Sequence, residues 1–326
     1  MRRRDLLALI GGAPALPRAL AAQSRGLPVI GFLALSDATV RPVLLPAFHR
    51  GLGEVGFVEG RNVSLYHVSA EGSYERLPGL ATELVRRRVD VIVAAGGTVA
   101  ALTARAATRE IPIVGLAGDD PVRLGLAASI GRPGGNFTGV VQLVVASVGK
   151  RLEVMHELIP DAKVIAFLNN PSRPNAALQT REIQVAARAL GLGLAVVEAA
   201  DDETLGTAMA TARARAGGLV IAGDPYFLAR QGLIVALAAQ HGLPTMYFFK
   251  DFVLSGGLIS YGSSLANAFH QVGVYVGRIL GGAKPAELPM AQQSDKLELV
   301  INLTVAKALG LAVPDSILVQ ADEVIE

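Results

Sequence analysis

The sequence predicts an α/β protein of two lobes, each built on a doubly wound parallel sheet. Three observations predict it. The chain has 326 residues, 51% of them hydrophobic, which is more than one core usually organises. Short apolar runs alternate along it with longer segments whose apolar residues recur at helical spacing, and the series of alternations runs twice. Aromatic residues make up only 5% and Trp is absent, a composition that suits strand–helix packing better than an aromatic-rich β-sandwich or a base-stacking surface.

Taken in order, Met1-Arg2-Arg3-Arg4-Asp5 precedes an apolar run from Leu6 to Leu16 and then Ala19-Leu20-Ala21-Ala22. That is the pattern of a cleaved export signal, read over residues 1–21. The run is too short to span a bilayer and is interrupted by Pro14 and Pro17,. Arg3-Arg4-Asp5-Leu6-Leu7 also fits a twin-arginine signal,, and a Sec signal with a basic start shares these features. Cleavage would remove four of the 30 basic residues and one of the 28 acidic ones, turning the net charge from +2 to −1. The mature chain then has no electrostatic footprint for nucleic acid, and Arg86-Arg87-Arg88 falls at a helix end, where basic residues complement the dipole,. With no Cys there is no disulfide, thiolate metal site or Cys nucleophile.

From Pro28 the first series runs strand (Val29 to Leu33), helix (Pro42 to Val55), strand (Val63 to Tyr66) and helix, the last opened by Ser73 and carrying Leu77, Leu80, Ala81 and Leu84 on one face,. Val89 to Ala95 and Ile111 to Leu116 are the nearly continuous apolar strands of a sheet covered on both faces,. A second series follows Gly139-Val140-Val141. It has strands at Val164 to Leu168, Leu194 to Val197, Leu219 to Ala222, Thr245 to Phe249 and Gly257 to Tyr261, with helices between them and one opened by Asp201 or Asp202. A long helix bearing Phe269, Val272, Val276 and Ile279, a strand from Leu297 to Ile301 and a helix from Leu303 to Leu309 complete the chain.

Gly51-Leu52-Gly53-Glu54-Val55-Gly56 matches the dinucleotide fingerprint letter for letter, in the wrong context. A helix precedes it and a strand follows, so these read as helix-terminating glycines,. No zinc-protease helix, nucleophile elbow, Walker loop or calcium loop is present,. No cofactor or metal is therefore implied, and no catalytic set assembles from His49, His67, His156, His241 and His270.

The candidate ligand-binding residues stand where strands end, because clefts of doubly wound sheets open at their carboxyl edges. Gly97 and Thr98 follow one strand and open a helix, offering free N–H groups and a hydroxyl suited to a carboxylate, or else a tight turn capped by Thr98,. Ser36 occupies the equivalent edge after the first strand. Asp119 and Asp120 before Pro121, and Asp224 before Pro225 and Tyr226, could cap the next helix or hold a ligand ammonium; Tyr226 adds an apolar face and a hydroxyl,. Asn170, Tyr247 and Tyr261 are further edge positions whose alternative is turn chemistry or lobe packing.

Laid end to end, Gly51 to Asn62, Ala70 to Leu77, Val89 to Thr98, Gly131 to Val140, Gly223-Asp224-Pro225, Ser260 to Ser264 and Leu297 to Gly310 resemble the ABC transporter substrate-binding family related to tryptophan- and tyrosine-binding lipoproteins, a branch of the type I periplasmic binding proteins. The resemblance implies two Rossmann-like lobes joined by a multi-crossover hinge, the first lobe from 28–141 plus 257–290 and the second from 142–256 plus 291–326. It implies a small-molecule ligand between them, an amino acid, aromatic or branched, or a related carboxylate. Ser36 and Thr98 would hold the carboxylate, Asp224 the ammonium, and Tyr226 or Tyr261 the side chain. The implied partner is an ABC permease in the inner membrane, and the protein is expected to be a monomer. Lacking the Cys of the lipoproteins, the mature chain would be free in the periplasm. A ligand-sensing module for a membrane receptor and, less favoured, a two-lobed α/β enzyme are the competing readings.

Overall fold

The structure is a computed structural model that describes residues 26–37, 44–292 and 297–326. The export signal read over 1–21 lies outside the described residues.

The first lobe is a six-stranded parallel sheet. It contains β1 (Val29–Ala34), β2 (Ser64–Ser69), β3 (Val91–Ala94), β4 (Ile113–Ala117), β5 (Phe137–Val141) and β11 (Ala291–Gln292), in the order β11-β5-β4-β3-β1-β2. The four residues of β3 and the five of β4 are all buried, as expected for strands covered on both faces. The covering helices are α1 (Leu45–Glu54), α2 (Leu77–Arg86), α3 (Gly97–Ala107) and α10 (Leu265–Leu280).

The second lobe repeats the plan. Strands β6 (Val164–Asn169), β7 (Gly193–Glu198), β8 (Gly218–Ile221), β9 (Thr245–Tyr247) and β10 (Ile259–Ser263) run parallel in the order β10-β9-β8-β6-β7. Beyond β10 lie β12 (Leu297–Asn302), antiparallel to it, and β13 (Glu323–Ile325). The helices are α4 (Val148–Leu158), α5 (Ala176–Ala189), α6 (Asp202–Arg215), α7 (Pro225–Ala229), α8 (Gln231–Gln240), α9 (Lys250–Leu254), α11 (Leu303–Ala308) and α12 (Asp315–Gln320).

Strand pairing moves the lobe boundaries read from the sequence. β10, expected in the first lobe, pairs with β9 and β12, so the chain recrosses only after Ser263. Residues 291–292, expected in the second lobe, extend the first sheet beside β5. A hydrophobic run reports burial, and both sheets bury their strands equally well; which sheet takes a strand is decided by its backbone partners.

The glycine run of α1 has a different use from the one expected. Gly56, at φ +87°, does end the helix turn,. Gly51 sits inside α1 against α10, where a Cβ would stand 1.9 Å from the His270 carbonyl oxygen. Gly273 of α10 is its counterpart, its own Cβ position 2.1 Å from the Phe48 carbonyl oxygen. The two helices thus cross backbone to backbone through missing side chains, which anchors α10 to the first lobe although its chain arrives from the second.

Candidate functional site

In both lobes the sheet order reverses at one place, between β1 and β3 in the first and between β6 and β8 in the second. Loops leaving the two strands on either side of such a reversal diverge to opposite faces and leave a crevice at the carboxyl edge. Here the two crevices meet in one cavity lined from both lobes. The first lobe contributes Leu35 and Ser36 after β1, Gly97 and Thr98 after β3, and Gly118 after β4. The second contributes Arg173 and Asn175 after β6, and Gly223, Asp224, Pro225 and Leu228 after β8. Phe248, Phe249, Phe269, Leu265 and Leu44 supply apolar wall, and Gln142 and Val144 come from the crossover between β5 and α4.

Within this wall the polar groups are of two kinds. Thr98 is 2% exposed and its hydroxyl oxygen accepts the Gly118 N–H at 3.1 Å. It therefore caps no turn of its own helix, contrary to the capping alternative; it ties β3 to β4 and keeps its O–H proton available. The buried side chains of Gln142, Arg173 and Asp224 instead carry polar atoms with no hydrogen-bond partner among the described residues: Gln142 Nε2, Arg173 Nε and Nη1, and Asp224 Oδ2. Arg173 Nε stands 3.6 Å from Asp224 Oδ2, near enough to offset charge and too far for a hydrogen bond,. Such unpartnered atoms occur elsewhere in the chain as well, but here three residues of one cavity wall bring N–H donors together with a carboxylate acceptor.

Asp224 takes up the capping role expected of it and turns its second oxygen to another partner. Its Oδ1 caps α7 by accepting the Tyr226 N–H at 2.7 Å, while Oδ2 turns to Arg173. Oδ1 also accepts the Tyr74 hydroxyl of the first lobe at 2.5 Å. Burial, reinforced by the Asp224 charge, pushes the Tyr74 phenol well above its ordinary range, so it stays a donor,.

The crossover is itself held from beneath. Arg151 is fully buried and donates through Nη2 to the Val144 carbonyl at 3.0 Å and through Nη1 to the Ser147 hydroxyl at 3.4 Å. Burial alone pushes its guanidinium down to about 9, still charged at neutral pH. Val144 fits between the lobes because Gly223 faces it without a side chain; a Cβ there would stand 1.7 Å from Val144 Cγ1.

Of the sequence-derived candidates, Ser36, Gly97, Thr98 and Asp224 are brought together in the cavity wall. The others are placed elsewhere, each for a local reason. Asp119 is held bidentately by Arg123, with both oxygens 2.9 Å from Nη2, and Asp120 Oδ1 accepts the Val122 N–H at 2.9 Å, so both are spent on their turn. Asn170 is 1% exposed; its Oδ1 accepts the Ser172 N–H at 3.1 Å, its Nδ2 has no partner among the described residues, and it is not part of the cavity lining. Tyr226 turns away and donates to Asp202 at 2.6 Å, because Pro225 and Leu228, three apart on α7, occupy the face toward the cavity,. Tyr247 lies flat on Phe252, centroids 4.8 Å apart, in the core of the second lobe. Tyr261 lies on β10, outside the lining.

Residues 44–325 match the family model described as ABC transporter substrate binding protein. The chain belongs to this family. Its members are substrate-binding proteins and not enzymes. A tyrosine-binding protein of Clostridioides difficile (strain R20291) is 25% identical over 264 residues, 81% of this chain and 75% of the relative. Among solved structures, an ABC domain in complex with L-Trp from Streptococcus pneumonia superposes with a TM-score of 0.82 at 24% identity, over 92% of this chain and all of that one. A ligand-free, open substrate binding protein with adhesive properties from Clostridium difficile gives 0.65 at 23% identity, over 92% and 99%. These likenesses show that the chain has the two-lobed fold of type I periplasmic binding proteins.

Proposed function

We propose that this substrate-binding protein is the periplasmic receptor of an ABC importer and clasps an α-amino acid with an apolar side chain, aromatic ones foremost, between its lobes. The observation that carries the reading is the pairing, in one apolar cavity, of orphaned donors on Arg173 and Gln142 with an orphaned carboxylate oxygen on Asp224. A zwitterion answers both: its carboxylate meets the guanidinium, the Gln142 amide and the Thr98 hydroxyl, and its ammonium meets Asp224. Phe248, Phe249, Phe269, Leu44 and Leu228 then receive the side chain,. The tyrosine and L-Trp named for the two relatives favour aromatic ligands.

The export signal read at the N-terminus supports a periplasmic site of action,, and the family supports a permease as the partner that receives the solute. Binding proceeds without chemistry: the lobes close about the hinge, exclude water, and release the same molecule.

Calorimetric titration of the mature protein with a panel of L-amino acids tests the reading. Saturable binding of aromatic or branched members is expected, abolished in the Thr98→Ala, Asp224→Ala double variant. Wild-type affinity in that variant, or a panel without any binder, refutes it.

A further inference from the structure

The two oxygens of Asp224 face different structures. Oδ2 faces Arg173 within the second lobe, whereas Oδ1 accepts one hydrogen bond from its own lobe, the Tyr226 N–H at 2.7 Å, and one from the first lobe, the Tyr74 hydroxyl at 2.5 Å. Tyr74 belongs to the first lobe because it lies in the 3₁₀ turn Tyr74–Arg76 that leads from β2 into α2. Its oxygen accepts the Tyr226 N–H as well, at 3.1 Å, and the Arg173 guanidinium lies over its ring, 5.0 Å from the centroid. Around it the lobes touch closely. A Cβ on Gly97 would stand 2.9 Å from Pro225 Cγ, and one on Gly72 would stand 3.2 Å from Arg230 Nη1.

We propose that Tyr74 is a closure latch, a positioning residue that ties the first lobe to the Asp224 carboxylate when the lobes meet. On opening, Asp224 keeps the Tyr226 N–H and exchanges Tyr74 for water. A hydroxyl donating to an ionised carboxylate is among the stronger protein hydrogen bonds, and it gains further when the closing lobes shut water out. One carboxylate thus reads two events, the arrival of a ligand at Oδ2 and the arrival of the first lobe at Oδ1. Closing from the first lobe also completes the guanidinium's surroundings, since the Tyr74 ring face covers Arg173,. The latch acts on closure whichever solute the cavity takes, so it goes beyond the amino-acid reading and is testable without any ligand.

The cysteine-free chain allows specific labelling. Gly79→Cys in α2 and Gly232→Cys in α8 place dyes on opposite sides of the seam, at positions where an added Cβ meets nothing within 4 Å. Single-molecule energy transfer on the free, doubly labelled protein then reports the lifetime of the closed state. Tyr74→Phe keeps the ring over Arg173 and deletes only the hydroxyl; the closed state should live roughly tenfold less long, the equivalent of a charge-assisted hydrogen bond. Tyr66→Phe is the matched control: its hydroxyl donates to Glu83 at 2.6 Å, also a carboxylate, but inside the first lobe. It should leave the lifetime unchanged, and both variants should melt within a few degrees of wild type. Equal lifetimes in Tyr74→Phe and wild type, an equal shortening in Tyr66→Phe, or a free wild-type protein that never closes would each overturn the proposal. None of these outcomes depends on whether an amino acid binds.

Discussion

Asp224→Asn isolates the charge that the account assigns to the ligand's ammonium. The substitution is isosteric and keeps an oxygen at the Oδ1 position, where it caps α7 and meets Tyr74, and Asn is as good a cap as Asp,. What it removes is the negative charge shared with Oδ2, the buried atom that faces Arg173 at the cavity wall. Unpairing one member of a desolvated charge pair costs about 2–5 kcal/mol, which is roughly thirtyfold to several thousandfold in Kd. Two ligands make the loss diagnostic: L-tryptophan, and indole-3-propionate, which has the same ring and carboxylate and no ammonium. In wild type the propionate should bind weaker than tryptophan by that amount. In the variant tryptophan should fall to within about tenfold of the propionate, because the variant and the analogue delete the same interaction, while the propionate loses only the smaller share that a neutral acceptor for Tyr74 costs both ligands,. Calorimetry on the four combinations provides the cycle. An equal loss for both ligands would show that Asp224 acts only through the cap and the lobe contact, and would remove the ammonium from the site.

Three further perturbations test the scaffold beneath the cavity. Gly97→Ala puts a Cβ 2.9 Å from Pro225 at a backbone φ of +66°; the strain is present in every state, but the overlap of about 1–3 kcal/mol exists only when the lobes are shut, so affinity should fall about tenfold or more with the fold retained, and unchanged affinity would contradict the close seam. Gly51→Ala gains about 1 kcal/mol of helix propensity yet forces α1 off the His270 carbonyl of α10; urea unfolding should show a net loss of about 1–2 kcal/mol, and a stabilised variant would contradict the helix crossing. Asp201 caps α6 through a reciprocal pair with Thr204, and the Thr204 hydroxyl and N–H hold its carboxyl below the usual value. A depressed acid contributes stability above its unfolded pKa and loses it as pH falls through the folded one, so Asp201→Ala should melt below wild type at pH 7 and the gap should narrow as acid protonates the carboxyl. Parallel pH curves would contradict the capping role.

The strands and the places where they end were legible because burial on both faces writes continuous apolar runs, and because the residue after such a run stands at the edge where a cleft opens. Ser36, Thr98 and Asp224 are readable on that rule alone. Arg173 is not: it comes four residues past β6, and whether it reaches the cavity depends on the turn at Asn170 to Asn175, where the Asn170 carbonyl accepts the Arg173 N–H at 3.2 Å. The asparagines and prolines of that segment signal a turn without signalling its direction,. Gln142 and Val144 escaped because a crossover has no periodicity to read. Tyr226 and Tyr247 misled because proximity to an edge does not fix a side chain's azimuth; one turn of α7 points Tyr226 to Asp202, and Tyr247 is drawn into stacking on Phe252. Tyr74 shows the deeper limit, since its partner lies 150 residues away in the other lobe and nothing local to either residue announces the contact.

A crystal structure of the protein grown with L-tryptophan would examine the central claim most directly. The account predicts electron density for the amino acid between the lobes, its ammonium within hydrogen-bond distance of Asp224 Oδ2, its carboxylate on Arg173 and the Thr98 hydroxyl, and its ring among Phe248, Phe249 and Phe269. A ligand resting on one lobe alone, or seated with its charges reversed against Asp224 and Arg173, would contradict it.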